Sequence, residues 1–162
     1  MYDWANSAYN LVITSTIFPA YYDAITTTKD AAGHIISHKV NFLGMQLESA
    51  SLYNYAIGLA YLVIAFLSPV LSSIADYRGN KKAFMQFFCY TGSAACAVMF
   101  WFQRDTLLLG IISCMLAAIG YCGSLVFYNS YLPEIAVKAE QDKVSAKGFA
   151  YGYIGSVLLQ II

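Results

Sequence analysis

Charge is what this sequence has least of. Only 11% of its 162 residues are Asp, Glu, Lys or Arg, whereas a soluble domain has about a quarter. The nine acidic and nine basic residues cancel, so the net charge is zero and no nucleic-acid partner is expected. Disorder is also excluded, because disordered chains combine low hydrophobicity with high net charge, and 59% of this chain is hydrophobic.

Motifs of soluble catalysis are missing as well. No nucleophile elbow, Walker loop or glycine-rich dinucleotide loop occurs, which argues against an enzyme and an ATP-driven pump, and no cofactor is expected. The four cysteines form no CxxC pair and fall in apolar runs, where a free thiol behaves as a small hydrophobic group. His34 and His38 are four residues apart, but no cysteine or carboxylate completes a site with them. A solvated loop is therefore favoured there, and no metal is expected.

Long stretches without a charged residue take the place of these motifs. A helix needs about 20 apolar residues to cross a hydrocarbon core of about 30 Å. Helices are expected because an open strand cannot satisfy its backbone hydrogen bonds in lipid. The prediction is an all-α membrane protein with four full transmembrane helices and part of a fifth, spanning about 4–22, 52–75, 83–103, 106–131 and 148–162.

The basic residues indicate how these spans are oriented. Six of the nine Lys and Arg residues fall in the loops 76–82 and 132–147. The positive-inside rule places both loops in the cytoplasm, together with the N-terminus, and places the loop 23–51 outside. Within that external loop, Asn41–Ser51 is a candidate for a short interfacial helix. The expected location is the cell membrane, which is the inner membrane in a bacterium.

The first predicted helix carries the clearest candidate for a solute path. At 100° per residue, five polar side chains share an arc of about 100°: Asp3, Asn6, Ser7, Asn10 and Thr14. Polar groups on a membrane helix face protein or a water-filled cavity, because a carboxylate at the bilayer centre costs roughly 3 kcal/mol. This stripe is expected to line the path, with Asp3 as a candidate partner for a coupling proton or cation. Alternatively, Asp3 caps the helix at the interface and the two Asn amides join neighbouring helices.

Later helices carry fainter patterns of small and polar residues. On the second predicted helix these are Asn54, Gly58, Tyr61, Ser68 and Ser72. Packing is the favoured interpretation of this stripe, because small residues let helix backbones approach closely. Asn54 is nevertheless kept as a candidate lining residue of the solute path. Packing is also the interpretation of Ser113, Gly120 and Ser124 on the fourth helix, and of the GxxxG spacing of Gly148 and Gly152.

The loop between the second and third predicted helices has a recognisable pattern. The segment Ser72-Ser-Ile-Ala-Asp-Tyr-Arg-Gly-Asn-Lys-Lys82 resembles the signature loop of the major facilitator superfamily, roughly G-x-x-x-D-x-x-G-x-[RK]-[RK]. Asp76, Gly79, Lys81 and Lys82 match it, and Ser72 replaces the first glycine. Asp76 and Arg78 are expected to interact across the turn, and Gly79 to permit a bend that a Cβ would hinder.

The resemblance implies a gating role for this loop. In the superfamily the matching carboxylate bonds cytoplasmic groups and the positive end of a helix in the other half of the protein. Such an attraction is worth about 0.3–1 kcal/mol and favours the outward-open state of a two-state rocking motion. The alternative is a plain basic turn that obeys the positive-inside rule.

Three further segments narrow the resemblance to one branch of the superfamily. They are Tyr2-Asp-Trp-Ala-Asn-Ser-Ala-Tyr9, Tyr131-Leu-Pro-Glu-Ile135 and Ser145-Ala-Lys-Gly-Phe149, and the second supplies Pro133 and Glu134 as a cytoplasmic-loop motif. They look like the unknown-major-facilitator branch, which is grouped with vacuolar amino-acid effluxers linked to autophagy. The chain would then be the N-terminal part of a protein of about twelve spans, and the C-terminal half of that protein would be its partner.

This resemblance implies a secondary active transporter that moves a small solute by alternating access, with amino acids as the solute by analogy. The lipid bilayer, the solute and a coupling proton or cation are the other expected partners. One alternative is a non-transporting receptor or scaffold built on a transporter fold. A membrane enzyme is disfavoured, because Asp3 and Glu134 would be its only candidate catalytic residues.

Overall fold

The computed structural model describes residues 2–30 and 34–161, and most of them are helical. The helices are α1 (Tyr2–Ala8), a π-helix (Tyr9–Ile17), α2 (Phe18–Thr26), α3 (Ser49–Arg78), α4 (Lys81–Val98), α5 (Leu107–Ser130), α6 (Leu132–Ile135) and α7 (Gln141–Ile161), with 3₁₀ turns at Met99–Trp101 and Arg104–Thr106. Two small antiparallel hairpins interrupt them: β1 (Thr28–Lys29) pairs with β2 (Ile35–Ser37), and β3 (Lys39–Phe42) pairs with β4 (Met45–Glu48). The predicted all-α class is confirmed.

Three of the described helical segments are long and apolar enough to cross a membrane, judged by length and composition: Ser49–Tyr77, Lys81–Trp101 and Arg104–Ile135. Only 11% of the most apolar stretch of each of the first two is buried inside the protein. Large apolar side chains such as Phe66 are therefore exposed along these helices, as expected for surfaces that face lipid. The predicted spans 52–75, 83–103 and 106–131 overlap these segments, and their membrane boundaries stay predictions.

The loops around the first and last helices are shorter than the sequence suggested. Helix α7 begins at Gln141, inside the predicted cytoplasmic loop 132–147, and α6 occupies the start of the same loop. The helical region that begins at Tyr2 continues to Thr26, beyond the predicted span 4–22. The prediction of an interfacial helix at Asn41–Ser51 is wrong, because strands β3 and β4 occupy this segment and helix begins only at Ser49.

The chain forms two compact units. One comprises the described parts of Met1–Tyr22 and Tyr128–Ile162, and the other comprises the described parts of Asp23–Phe127. In the first unit α1 lies against α7. Gly152 and Gly155 of α7 are buried there, and Ser156 folds its hydroxyl back onto the Gly152 carbonyl at 3.0 Å.

Aromatic rings hold the core of the second unit together. Phe88 and Phe127 are buried with Ile64 and Ala75, and the Phe127 ring stacks on both Phe84 and Phe88, with ring centroids 5.4 and 5.9 Å apart. Helices α4 and α5 also meet through glycine backbones, which confirms the packing interpretation of Gly120. A Cβ built at Gly120 would lie 2.6 Å from backbone atoms of Gly92.

Candidate functional site

The contact between α1 and α7 is built on glycines. A Cβ at Gly152 would overlap the hydroxyl of Ser7, and one at Gly155 would lie 2.8 Å from ring atoms of Trp4. Without Cβ atoms the two helices come close enough for these α1 side chains to rest on the α7 backbone. The packing interpretation of the Gly148 and Gly152 spacing is therefore confirmed, and α1 is identified as the helix that packs on it.

Asp3 lies at the end of this contact that the sequence predicts to be cytoplasmic. It is buried, with 8% of its surface exposed. The Tyr128 hydroxyl donates a hydrogen bond to Asp3 Oδ2 at 3.2 Å, and the Tyr2 ring stacks on the Tyr128 ring with centroids 4.7 Å apart. A Cβ at Gly148 would overlap the same carboxylate oxygen. The carboxylate is therefore held on one side by a phenol and on the other by a helix backbone that only glycine leaves open.

A small cavity of about 60 Å³ adjoins this carboxylate. Its walls come from the three segments that share the family pattern, since Asp3, Tyr131, Leu132, Ile135, Ser145 and Phe149 all line it, together with Tyr128, Asn129 and Val144. These segments are more than a hundred residues apart in sequence at their extremes. The three segments, which are separate in sequence, therefore meet at this cavity. We take the cavity as the candidate site.

The other members of the predicted stripe differ in burial. Asn6 and Thr14 are partly buried, and Asn10 is exposed. From Tyr9 to Ile17 the backbone is a π-helix, with i to i+5 hydrogen bonding. The hydroxyls of Ser15 and Thr16 follow the same spacing and donate to carbonyls five residues earlier. An angle of 100° per residue describes an α-helix and therefore does not hold beyond Ala8. The shared arc of Asn10 and Thr14 with the other stripe residues stays a prediction.

The proposed gating residues lie in the second unit, in the turn between α3 and α4. Gly79 ends α3 with φ of 62°, a left-handed conformation that glycine adopts without a Cβ penalty. Asp76 Oδ1 lies 2.9 Å from the Lys81 ammonium, so Lys81 pairs with Asp76 across the turn. The side chain of Arg78, the expected partner, lies outside what the structure describes. Lys82 is exposed.

Three further candidates are not among the residues that line the cavity. Asn54 is exposed on α3, in the second unit. Pro133 and Glu134 are exposed on α6. Pro133 lies in the first turn of this helix, where proline is common because the first N–H groups have no partner within the helix. The neighbouring residues Tyr131, Leu132 and Ile135 line the cavity instead.

Tyr128 is the site residue that sequence analysis missed. A phenol at the end of a long apolar span was a usable signal, since buried Tyr hydroxyls normally find a polar partner.

The sequence analysis found no carboxylate beside the histidine pair, and this description was incomplete. His38 Nδ1 lies 3.2 Å from the Thr27 hydroxyl and 3.8 Å from Asp23 Oδ1, so a carboxylate does lie near it. Among the described residues, however, no cluster of three or more potential ligands forms around either histidine.

Comparison with known proteins gives one family. The whole chain, residues 1–162, matches the family described as vacuole effluxer Atg22 like. The MFS-type transporter YxiO of Bacillus subtilis (strain 168), itself named as uncharacterized, is 34% identical over 162 residues, which are 100% of this chain and 35% of that protein. No solved structure matches the chain.

Fungal relatives align over shorter stretches. Autophagy-related protein 22-2 of Aspergillus niger is 30% identical over 94 residues, covering 58% of this chain and 16% of that protein. Autophagy-related protein 22 of Neurospora crassa is 28% identical over 106 residues, covering 65% of this chain and 14% of that protein. The chain thus spans about a third of the length of the bacterial relative and less than a fifth of the fungal ones.

Proposed function

The chain belongs to the Atg22-like family of vacuole effluxers, and from that premise we propose that it forms part of a secondary active transporter that moves a small solute by alternating access. The resemblance to the major facilitator superfamily is confirmed by this membership and by the MFS-type relative. Together with the three membrane-length helices, it makes the chain a multi-pass membrane protein. Amino acids are the proposed solute class, by analogy with the effluxer branch.

The observation that carries this proposal is the buried carboxylate of Asp3 at the point where the three family segments meet. Asp3 immediately precedes the predicted span 4–22, and a buried ionisable group beside a membrane helix is costly enough to point to a role in solute or ion movement. Asp3 lines the small cavity, receives a hydrogen bond from Tyr128, and contacts the backbone of α7. We place the solute, or the ion that drives its movement, at this carboxylate.

The π-helix that follows α1 supports the proposal that the helix carrying Asp3 moves during transport. π-helical turns are less stable than α-helical ones and occur frequently at functional sites, where a helix has to bend or change register. Here the π-helical segment Tyr9–Ile17 begins directly after α1. A shift between π- and α-helical hydrogen bonding in that segment would let α1 tilt against α7 while the rest of the helix stays in place. We propose this as the local motion that opens and closes the Asp3 cavity.

Orientation follows from the charges. We place the turn at 76–82 and the segment 132–147 in the cytoplasm, with the N-terminus on the same side, because the basic residues concentrate there. The membrane is the cell membrane in a bacterial host. The family description refers to the vacuole.

The proposal is tested with the full-length protein in proteoliposomes. The expected result is uptake or efflux of members of an amino-acid panel that rises with an imposed proton or sodium gradient and disappears when the gradient is collapsed. Saturable binding of a solute without any flux, under every imposed gradient, would contradict transport and favour the receptor or scaffold alternative.

Replacement of Asp76 with Asn tests the gating turn. The pair with Lys81 is solvent-accessible, since 58% of the Asp76 side chain is exposed, so folding stability should change by less than about 1 kcal/mol. Turnover should fall by about two- to fivefold, which corresponds to the loss of an attraction of 0.3–1 kcal/mol that favours one conformational state. Initial flux rates at saturating solute measure this, and thermal melting in detergent reports on folding.

The matched control for that experiment is Asp105→Asn, which removes an exposed carboxylate outside the turn and should leave turnover unchanged. Equal turnover in the Asp76 variant and the wild type would identify 76–82 as a plain basic connection.

A further inference from the structure

The β3–β4 hairpin has one polar and one apolar face. Residues directly opposite each other in an antiparallel pair lie on the same face of the sheet. The pairs Lys39–Glu48 and Asn41–Gln46 put four polar side chains on one face. The pairs Val40–Leu47 and Phe42–Met45 put four apolar side chains on the other. If the hairpin projected into water, the apolar side chains beyond its base would be left exposed to solvent.

Burial along the apolar face falls from base to tip. Val40 at the base is buried, with 7% of its surface exposed, whereas Met45 beside the turn is 58% exposed. The turn residue Leu43 is more accessible still, at 75%. The apolar face is therefore covered by the protein near the base and uncovered at the tip, where Leu43 and Met45 are both exposed.

The turn itself is built from an unfavourable residue. Leu43 has φ of 50° and Gly44 has φ of 83°, the arrangement of a two-residue type I′ turn, which strongly prefers Asn or Asp before Gly. A leucine disfavours this left-handed conformation because its Cβ crowds the backbone. Strain in a solvent-exposed apolar residue points to a role for that residue at the tip.

The hairpin is attached directly to the end of a membrane-length helix. Strand β4 ends at Glu48 and α3 begins at the next residue, and the Ser49 amide donates to the His38 carbonyl at 2.8 Å, which fastens the base of the hairpin. Strands of four residues extend only about 13 Å, so the tip cannot leave the neighbourhood of the bilayer surface. Tyr53 and Tyr55 lie in the first turns of α3, the position that interfacial tyrosines occupy.

We propose that the β3–β4 hairpin is an interfacial anchor, with Leu43 and Met45 inserted at the boundary between headgroups and acyl chains of the leaflet that surrounds the start of α3. The apolar surface of the tip then continues the lipid-facing surface of that helix. The polar face, with Lys39 and Gln46, stays in contact with water and headgroups. The anchor would fix the height of the external loop while the helices below it move.

Methyl NMR of the full-length protein in lipid nanodiscs tests the proposal without altering the hairpin. The signal of Met45 is identified from its loss in Met45→Leu, in protein labelled with ¹³C at methionine methyl groups. The expected result is strong broadening of this signal by a doxyl-labelled lipid and little broadening by a soluble gadolinium chelate. The reverse pattern would place the tip in water and overturn the proposal.

A variant separates insertion from hairpin formation. Leu43→Asn installs the residue that the turn prefers, so the hairpin should form at least as well, while the lipid-dependent broadening of Met45 should be lost or strongly reduced. Gln46→Ser on the polar face is the matched control and should leave the broadening unchanged. Undiminished lipid broadening in Leu43→Asn would show that Leu43 does not hold the tip in the bilayer.

Discussion

Replacing Asp3 with Asn is expected to abolish gradient-driven accumulation of solute while leaving the protein folded. Asparagine has nearly the same shape, and its amide oxygen can still accept the hydrogen bond from Tyr128, which now spans 3.2 Å. The amide carries no charge and cannot exchange a proton or bind a cation as a carboxylate does. A hydrogen bond to a charged group is worth about 1.5–3 kcal/mol, so the affinity of the site for the coupling proton or cation should fall by on the order of tenfold or more. Accumulation that depends on this coupling should then be lost.

The experiment compares two fluxes in proteoliposomes. Net uptake against a gradient needs the coupling group, whereas exchange of labelled for unlabelled solute needs only the path. Asp3→Asn should lose the first and keep more of the second. Asp142→Asn serves as the control, because Asp142 is an exposed carboxylate in the first turn of α7. Accumulation at the wild-type level in Asp3→Asn would assign Asp3 to interfacial packing, the alternative that the sequence left open.

Gly120→Ala should destabilise the protein by about 1–3 kcal/mol, the usual cost of overpacking a close contact. A Cβ at Gly120 would lie 2.6 Å from the Cα and N atoms of Gly92 and 2.8 Å from the Phe88 carbonyl oxygen. All three are backbone atoms, so no side-chain rotation relieves the clash, and α4 and α5 have to separate. Thermal unfolding of the detergent-solubilised protein, followed by circular dichroism, measures the effect.

Two other glycines provide matched controls for this substitution. The atoms nearest a Cβ at Gly92 are 3.5 Å away, which is ordinary van der Waals contact, and a Cβ at Gly58 meets nothing within 4 Å. Gly92→Ala should be tolerated, and Gly58→Ala should be neutral or stabilising by up to about 1 kcal/mol, because alanine loses less backbone entropy than glycine in a helix. If all three variants melted together, the helix contact described for Gly120 would be wrong.

The sequence was sufficient to predict helices wherever a long uncharged stretch occurs, because an apolar backbone segment in lipid has few alternatives to a helix. It also predicted the bend at Gly79, since a glycine after a helix commonly adopts the left-handed conformation that the structure shows. Both predictions depend on local chemistry and need no knowledge of which segments meet in space.

What depended on neighbours or on exact geometry was harder to predict. The spacing of Gly148 and Gly152 indicated a packing surface, but nothing in it identified α1 as the partner. Asp76 has basic residues at several positions in the same turn, and distance in sequence did not single out Lys81. The nine residues of π-helix from Tyr9 contain no proline or glycine to announce them. The available signal for the hairpin was the apolar–polar–apolar alternation of Val40, Asn41 and Phe42 directly before a Leu-Gly turn.

The most direct measurement of the role of Asp3 is an infrared difference spectrum of the full-length protein in lipid, recorded with and without solute under a fixed pH and salt composition. A solute or ion that acts at this buried group must change its protonation or its hydrogen bonding, so a signal in the carboxyl and carboxylate stretching region is expected in the wild type and should be absent in Asp3→Asn. Identical difference spectra for the two proteins would contradict the assignment of the solute-responsive site to Asp3.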